Sequence, residues 1–142
     1  MTTIAIDTII EAAAERCYDL VRDPRIQAGP PPLVSGEFGT GQRGTFRSKK
    51  FGVSRDLTVE VTEFDRPRRM VDEMVEGPFA AFTHIHEFIP QGNRTLMRDT
   101  LEWTSPFGIL GRIADLVLIK RTLSKIVRGR NDKLKRLAER PL

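Results

Sequence analysis

The stretch SPFGILGRIADLVLIKRTLSKIVRGRNDKLKRLAERP, residues 105–141, decides the fold of this chain. Its apolar residues recur at steps of three, four or seven, which is the spacing of one stripe along an α-helix. The stripe consists of Ile109, Ile113, Leu116, Leu123, Val127, Leu134 and Leu137. Ser105 followed by Pro106 is typical of a helix start, because proline has no N–H to leave unpaired there. We therefore predict one long helix over residues 106–140, whose apolar stripe other elements must cover.

The positive charge of the chain is concentrated on this predicted helix. The net charge is +4, and residues 120–140 contain nine Lys or Arg against two acids. A basic helix can bind nucleic acid or an anionic membrane. However, aromatic residues do not alternate with the basic ones as single-strand binders require, and several basic residues fall opposite the stripe. These are Arg121, Lys125, Arg128, Lys135 and Arg136. We therefore predict a solvated outer face and no nucleic-acid partner, and leave membrane contact open without predicting it.

The length and the cysteine content set the class of protein. A chain of 142 residues fits one domain, and we expect residues 1–142 to form it around a single core. Cys17 is the only cysteine, which excludes an intrachain disulfide and favours a reducing compartment. The first residues do not resemble a signal peptide, and no apolar run reaches the roughly 20 residues of a membrane span. We therefore expect a cytoplasmic protein, either a monomer or a homodimer.

The N-terminal part of the chain predicts a strand, a helix and a stiff connector. Residues 2–9 alternate apolar and polar side chains and are rich in β-branched types, which favours a strand. Residues 11–21 carry apolar side chains at helical spacing, and residues 26–28 could add a further helical turn. Residues 29–32, Gly-Pro-Pro-Pro, predict a stiff connector.

A glycine-rich segment after this connector matches the sequence pattern of a nucleotide-binding loop. Residues 39–44 read GTGQRG, which fits the pattern GxGxxG. That loop binds a pyrophosphate only between a strand and a helix, because the helix N-terminus holds the phosphates. Residues 45–48 instead favour a strand. We therefore interpret the segment as a turn between strands.

Strand patterns follow one another from residue 45 to residue 103. Apolar and polar residues alternate over residues 57–62, and strand segments continue over 70–75, 79–89 and 95–103. Short turn signals, rather than helices, separate them. Strands joined in this way predict an antiparallel meander.

The last two strands predict a buried face that includes polar residues. If residues 90–93 form a four-residue loop, His84 faces Asp99 across the hairpin. Both strands then place their apolar residues on one face, which supports this alignment. The predicted inward residues are Phe82, His84, His86, Phe88, Met97, Asp99, Leu101 and Trp103.

The pair of His84 and Asp99 on this apolar face has three interpretations. It could orient a ligand, or act as an acid/base group whose carboxylate orients the imidazole. It could also be a satisfied pair within the core, because a buried acid needs a hydrogen-bond partner. Two histidines two residues apart and an acid could hold a metal. However, the sequence has no second histidine pair and its one cysteine lies in another element, so we predict no metal.

Lys120 is anomalous because it falls within the apolar stripe of the last helix. It lies four residues after Leu116 and three before Leu123. Its ammonium either reaches the edge of the stripe, which we favour, or meets an inward acid. The candidate acids are Asp99 and Asp72, the latter only if Met70 and Asp72 point inward, which the sequence leaves open.

The order of elements resembles a known superfamily. The segments that carry the likeness are IAIDTIIEAAAERCYDLVRDP (4–24), LTVEVTEFDRPRR (57–69), GPF (77–79), HIHEF (84–88) and SPFGILG (105–111). The chain is similar in these to START/Bet v 1-like proteins, in particular to bacterial polyketide cyclase/dehydrase-like (SRPBCC) proteins. The resemblance implies an α+β, helix-grip fold, in which a curved antiparallel β-sheet wraps around a long C-terminal α-helix (β-α-α-β-meander-α).

The resemblance also implies an apolar cavity between the sheet and the last helix. Members of the superfamily bind lipids, polyketides or other apolar molecules, and a minority are cyclases, dehydratases or hydrolases. We therefore predict a protein that binds a small hydrophobic molecule without a cofactor. The alternative is a cyclase or dehydratase with His84 as acid/base and Asp99 as its orienting group. The predicted cavity residues are Met70, Asp72, Phe82, His84, His86, Phe88, Met97, Asp99, Leu101, Trp103, Leu116 and Lys120.

Overall fold

Within the described residues, the fold begins with a strand and a short helix and continues through six further strands. The computed structural model describes residues 1–27, 33–50, 53–105 and 115–141. The strands are β1 (Thr2–Ile10), β2 (Leu33–Ser35), β3 (Arg43–Lys50), β4 (Val53–Asp65), β5 (Arg69–Glu76), β6 (Ala81–Gln91) and β7 (Arg94–Thr104). The helical elements are α1 (Ala14–Asp19), a 3₁₀ turn (Pro24–Ile26), a π-helical turn (Asp115–Ile119) and α2 (Lys120–Ala138).

The described strands form one antiparallel sheet in the spatial order β1-β7-β6-β5-β4-β3-β2. From β2 to β7, strands that follow each other in sequence are also paired in space, which confirms the predicted meander. β1 pairs with β7 and is the edge strand at the end of the sheet opposite β2. The curved sheet with one long C-terminal helix is the predicted architecture.

α2 buries one side and exposes the other. Its buried residues are Val127, Arg130, Asn131, Leu134, Leu137 and Ala138. The basic residues predicted to face outward are exposed, except Lys135, which is half-buried and donates to the Ile9 carbonyl at 2.8 Å. At the C-terminal end, Arg16 donates to the carbonyls of Leu137 and Ala138 at 2.9 and 2.8 Å, which ties α2 to α1. No helix in the described part of the chain is long and apolar enough to cross a membrane.

The start of the predicted long helix differs from the expectation. Residues 106–114, with the predicted cap at Pro106, lie outside the described residues, as does the side chain of Leu116. A π-helical turn, which holds more residues per turn than an α-helix, directly precedes α2. Lys120 is the first residue of α2 and is exposed, which agrees with the favoured alternative of an ammonium at the edge of the stripe and not with a contact to an inward acid.

The N-terminal helix is shorter than residues 11–21. β1 continues to Ile10, which is fully buried, so the chain turns before α1 can start. The Thr95 hydroxyl donates to the Ala12 carbonyl at 2.7 Å and holds that turn in place. The extra helical turn lies at Pro24–Ile26, because the Asp23 carboxylate accepts from the Arg25 N–H and caps it. The connector at 29–32 lies outside the described residues.

The hairpin between β6 and β7 has a shorter turn than predicted. Pro90 pairs with Thr95, and the next pair leaves only Gly92 and Asn93 between the strands. The predicted four-residue loop at 90–93 is therefore wrong. Gly92 has a φ of 65°, which is the left-handed conformation that such a tight turn needs.

The shorter turn also corrects the register of the hairpin. His84 lies opposite Leu101, and His86 lies opposite Asp99, whereas the sequence placed His84 opposite Asp99. The difference is a shift by two residues. Because side chains alternate with a period of two, every residue keeps its predicted face.

The turn provides a first test of the fold. We expect Gly92→Ala to lower the free energy of unfolding by about 1 kcal/mol, because a Cβ disfavours the left-handed conformation. Gly129→Ala is the matched control, since an added Cβ in α2 has no atom within 4 Å and improves helix propensity. It should raise the free energy of unfolding by about 1 kcal/mol. Urea denaturation of both variants measures the two values, and a stabilised Gly92→Ala variant would contradict the hairpin geometry.

Candidate ligand site

A layer of polar side chains divides the core into two apolar clusters. We call its members the polar layer: Thr8, Arg22, Asp72, His84, His86, Asp99, Arg130 and Asn131. The Tyr18 cluster lies on one side and comprises Ile10, Ala14, Cys17, Tyr18, Val21, Ile26, Val61, Met70, Phe88, Met97, Leu134, Leu137 and Ala138. The Trp103 cluster lies on the other side and comprises Ile4, Ile6, Val59, Phe82, Leu101, Trp103 and Val127.

Strand alternation builds this arrangement. On β7 the inward residues run from Met97 in the Tyr18 cluster through Asp99 to Leu101 in the Trp103 cluster. On α2 the same order recurs at helical spacing, from Leu134 through Arg130 to Val127. The polar residues of different elements thus meet at one level of the core.

Asp99 is the centre of the polar layer and is fully buried. His84 Nε2 lies 2.7 Å from its Oδ1, and because a carboxylate only accepts, the ring donates from Nε2. Arg130 donates to the same oxygen at 2.8 Å. Asn131 donates to Oδ2 at 2.7 Å and also contacts the Thr8 hydroxyl at 3.3 Å. The carboxylate is therefore held from both the sheet and α2.

Asp72 forms the second carboxylate centre on β5. It points inward and accepts from His86 Nε2 at 2.9 Å, which settles the phase of this strand. Arg22, which follows α1, donates to its other oxygen. The Arg22 guanidinium lies 5.7 Å from the ring centre of Phe46, which packs against the Trp103 cluster.

The two imidazoles lie between the two carboxylates. The rings of His84 and His86 stack with 3.8 Å between their centres and an angle of 22°. His86 uses Nε2 for Asp72, and its Nδ1 lies 3.4 Å from Asp99 Oδ1 without a hydrogen bond. His84 is 8% exposed, whereas His86 is completely buried.

The charges of this site follow from its contacts. Burial opposes ionisation of Asp99, but the Arg130 cation and the hydrogen bond from His84 hold the pKa of Asp99 well below 3.8. Burial likewise opposes ionisation of Asp72, and His86 and Arg22 outweigh it and lower the pKa of Asp72. Burial, and then the neighbouring His86, lower the pKa of His84 from 6.5 to about 4. At neutral pH both carboxylates are ionised and His84 is uncharged.

Several buried polar atoms have no partner within the described part of the protein. Three are N–H donors: Arg22 Nε, Arg130 Nε and Trp103 Nε1. The others are His86 Nδ1 and Gln42 Oε1. Three of the five belong to the polar layer and a fourth to the Trp103 cluster. Buried polar groups are normally paired with protein atoms or ordered water, so these five atoms are positions where a water molecule or a ligand can bind.

The apolar surface next to these donors is incompletely covered. Large side chains that pack against the Trp103 cluster are only partly buried: Phe46, Leu57, Met74, Phe79, Ile119 and Leu123. Phe79 and Phe82 stack with 5.2 Å between their ring centres. Apolar side chains with a few convergent polar groups are the usual composition of a small-molecule site.

Most of the predicted cavity residues lie on the buried face of the sheet. Buried residues from this set are Met70, Asp72, Phe82, His84, His86, Phe88, Met97, Asp99, Leu101 and Trp103. Met70, Phe88 and Met97, however, lie in the Tyr18 cluster, beyond the polar layer from Trp103. Lys120 is exposed, and the cations that contact Asp99 and Asp72 are Arg130 and Arg22.

The sequence reasoning missed Arg22, Arg130 and Asn131. A signal existed for Arg130, which lies three residues after Val127 and four before Leu134, on the same stripe that Lys120 was assigned to. Arg22 follows the short helix α1, where periodicity no longer fixes the direction of a side chain.

The geometry does not favour a metal at this site. His84, His86 and Asp99 offer donor atoms within 4.8 Å of one another. However, Asp99 is already bound by His84, Arg130 and Asn131, and the Arg130 cation would repel a metal ion. The two stacked imidazoles direct their Nε2 atoms at different carboxylates.

Residues 1–139 match the family described as polyketide cyclase / dehydrase and lipid transport. The chain belongs to this family. The match confirms the resemblance seen in the sequence and supports a role in ligand binding or cyclisation. A comparison with curated proteins finds no significant sequence match.

Solved structures show the same fold for this member of the polyketide cyclase/dehydrase family. TTHA0849 from Thermus thermophilus is 21% identical with a TM-score of 0.80, covering 95% of each chain. The ginseng major latex-like protein 151 from Panax ginseng is 11% identical with a TM-score of 0.77, covering 98% of each chain. A START superfamily protein from Mycobacterium smegmatis is 14% identical with a TM-score of 0.74, covering 96% of this chain and 97% of its own. These likenesses establish the helix-grip fold alone.

Proposed function

We propose that this protein binds a small, mainly apolar molecule between the sheet and α2, with a polar group of that molecule against the polar layer. The observation that carries the proposal is the set of unpaired N–H donors of Arg22, Arg130 and Trp103 next to partly buried apolar side chains. The family, whose description includes lipid transport, supports the same function.

The energetics favour an acceptor group on the ligand. A buried N–H without an acceptor costs about 1–3 kcal/mol, so a ligand oxygen that pairs with it recovers this free energy. The apolar part gains about 25 cal/mol for each Å² removed from water. A molecule with both parts therefore binds better than a pure hydrocarbon of the same size.

Trp103 provides the experiment, because it is the only tryptophan of the chain. We expect decanoate and decanol to change its fluorescence saturably, and organic extracts of the purified protein to contain an apolar molecule. Trp103→Phe keeps an aromatic ring but removes the unpaired N–H, and calorimetry should show about fivefold to tenfold weaker binding, which is about 1–1.4 kcal/mol. If neither probe binds and no molecule copurifies, the proposal is wrong.

The second candidate function is a cyclase or dehydratase that uses His84. The observation in its favour is the 2.7 Å contact of His84 Nε2 with Asp99, which orients the ring and leaves Nδ1 as the basic atom. A pKa of about 4 makes His84 uncharged at neutral pH but a weak base, which is why we rank binding first. Conversion of a bound poly-β-ketone analogue, followed by mass spectrometry and lost in His84→Gln, would favour the enzyme.

The remaining expectations belong to the same proposal. We propose a single domain over residues 1–142 in the cytoplasm, as a monomer or homodimer, without a nucleic-acid partner or a cofactor. Cell fractionation, light scattering and electrophoretic mobility shifts measure these properties directly.

A further inference from the structure

We infer that the start of α2 and the turn before it form a docking surface for an anionic lipid bilayer. The surface belongs to residues 117–128, which we call the basic segment. It lies outside the polar layer, and the contact with the bilayer does not depend on the proposed ligand. Three observations lead to it: exposed apolar side chains, unpaired positive charge and their position on one face of the helix.

Apolar side chains are exposed at the start of the basic segment. Val117 and Leu118, in the π-helical turn, are each 62% exposed, and Ile126 in α2 is 42% exposed. Ile119 and Leu123, by contrast, pack against the Trp103 cluster. The segment therefore presents apolar side chains both to the core and to the solvent. Exposed apolar residues beside cations are typical of a helix that lies in a membrane interface.

The positive charge of the basic segment is not compensated by acids. Residues 117–128 contain no acid and four cations, which are all exposed: Lys120, Arg121, Lys125 and Arg128. The ion pairs between described residues involve none of these four. Other exposed arginines are paired with acids: Arg43 with Glu60, Arg47 with Asp56 and Arg66 with Asp19. The unpaired cations give this surface a positive potential that attracts an anionic one.

The apolar residues and the cations share one face of the segment. Leu118 is followed at steps of three, four and three by three of the cations, which is the spacing of one helix face. These cations are Arg121, Lys125 and Arg128. Their long side chains reach lipid phosphates while Val117 and Leu118 enter the boundary between headgroups and acyl chains. Each cation near an anionic leaflet strengthens binding by about fivefold.

The chemistry of this face favours a bilayer over other partners. A second copy of the chain would present the same four cations, and like charges repel. Nucleic acid offers phosphates but no acyl chains for Val117 and Leu118, and residues 117–128 contain no aromatic side chain to stack on bases. An anionic bilayer offers both phosphates and acyl chains.

Cosedimentation of the full chain with lipid vesicles tests the inference. The vesicles contain phosphatidylcholine alone, or phosphatidylcholine with about 30% phosphatidylglycerol, which makes the surface negative. We expect binding to the anionic vesicles only. Raising the salt from about 0.05 M to about 0.5 M should weaken this binding by at least about tenfold, because salt screens the attraction.

Two pairs of variants locate the surface. Arg121→Glu should weaken vesicle binding by at least about fivefold. Arg140→Glu, the same charge change at an exposed residue after the end of α2, should change it by less than about twofold. Leu118→Ser should weaken binding by about threefold to tenfold, whereas Ile89→Ser, at an exposed apolar residue of β6, should leave it unchanged. Circular dichroism checks that all four variants fold.

The outcomes separate this surface from the proposed ligand site. Absence of binding to both kinds of vesicle, or equal binding to both, would overturn the inference. Equal losses in Arg121→Glu and Arg140→Glu would also overturn it, since binding would then reflect net charge alone. A mobility shift of an oligonucleotide without vesicle binding would assign the basic segment to nucleic acid instead. The fluorescence response to decanol should persist in Arg121→Glu, because this exposed residue lies outside the polar layer.

Discussion

Arg130→Met is expected to lower the free energy of unfolding by about 3–5 kcal/mol. Arg130 is almost completely buried and lies 2.8 Å from Asp99, which is itself fully buried. Methionine would preserve much of the apolar packing of the side chain but leave the Asp99 charge without its cation. Removing one partner of a buried ion pair is strongly destabilising, because the remaining charge stays in a low dielectric. Urea denaturation at pH 7 measures the difference.

The matched control lies two residues earlier on the same helix. Arg128 is exposed, so Arg128→Met should change the free energy of unfolding by no more than about 0.5 kcal/mol. Adding Asp99→Asn to Arg130→Met should recover part of the loss, since the unpaired charge is then absent. Equal effects of the two single substitutions would show that Arg130 does not compensate Asp99.

The sequence predicted which side chains point inward more accurately than how the strands are aligned. His84, His86 and Asp99 were assigned to the buried face by alternation alone, and all three are buried. The register was wrong because it depends on the length of the turn at Gly92, which the local sequence left ambiguous. Each side chain still lies on its predicted face, because a register shift by two residues leaves the alternation unchanged.

The partners of the buried acids could not be predicted from the same patterns. Periodicity alone does not distinguish Lys120 from Arg130, because both lie on one stripe of α2. Arg130 is buried against Asp99, whereas Lys120, at the start of the helix, is exposed. Arg22 approaches Asp72 from beyond α1, a contact between residues 50 positions apart that no local pattern contains. The polar layer therefore emerges only when the tertiary structure brings β5, β6, β7 and α2 together.

The stability of the protein is expected to fall in two separate steps as the pH is lowered from 7. The pKa of His84 is lowered to about 4 in the folded state and is close to 6.5 in the unfolded chain. Between these values the unfolded chain binds more protons, so stability falls as the pH decreases from 6.5 to 4. The difference corresponds to about 3 kcal/mol. Below pH 4 the loss continues, because the unfolded chain protonates Asp72 and Asp99, whose folded pKa values are depressed.

His84→Gln separates the two steps. Glutamine can donate to Asp99 as the imidazole does, but it does not titrate, so the pH dependence between 6.5 and 4 should become shallower by the contribution of one proton. The loss below pH 4 should persist in this variant, since Arg22 and Arg130 still lower the pKa values of the two carboxyls. Denaturation curves at half-unit pH intervals, compared between the two proteins, measure both slopes. An unchanged slope between pH 6.5 and 4 would mean that His84 does not remain uncharged in the folded core, and the assignment of an uncharged imidazole beside Asp99 would then be wrong.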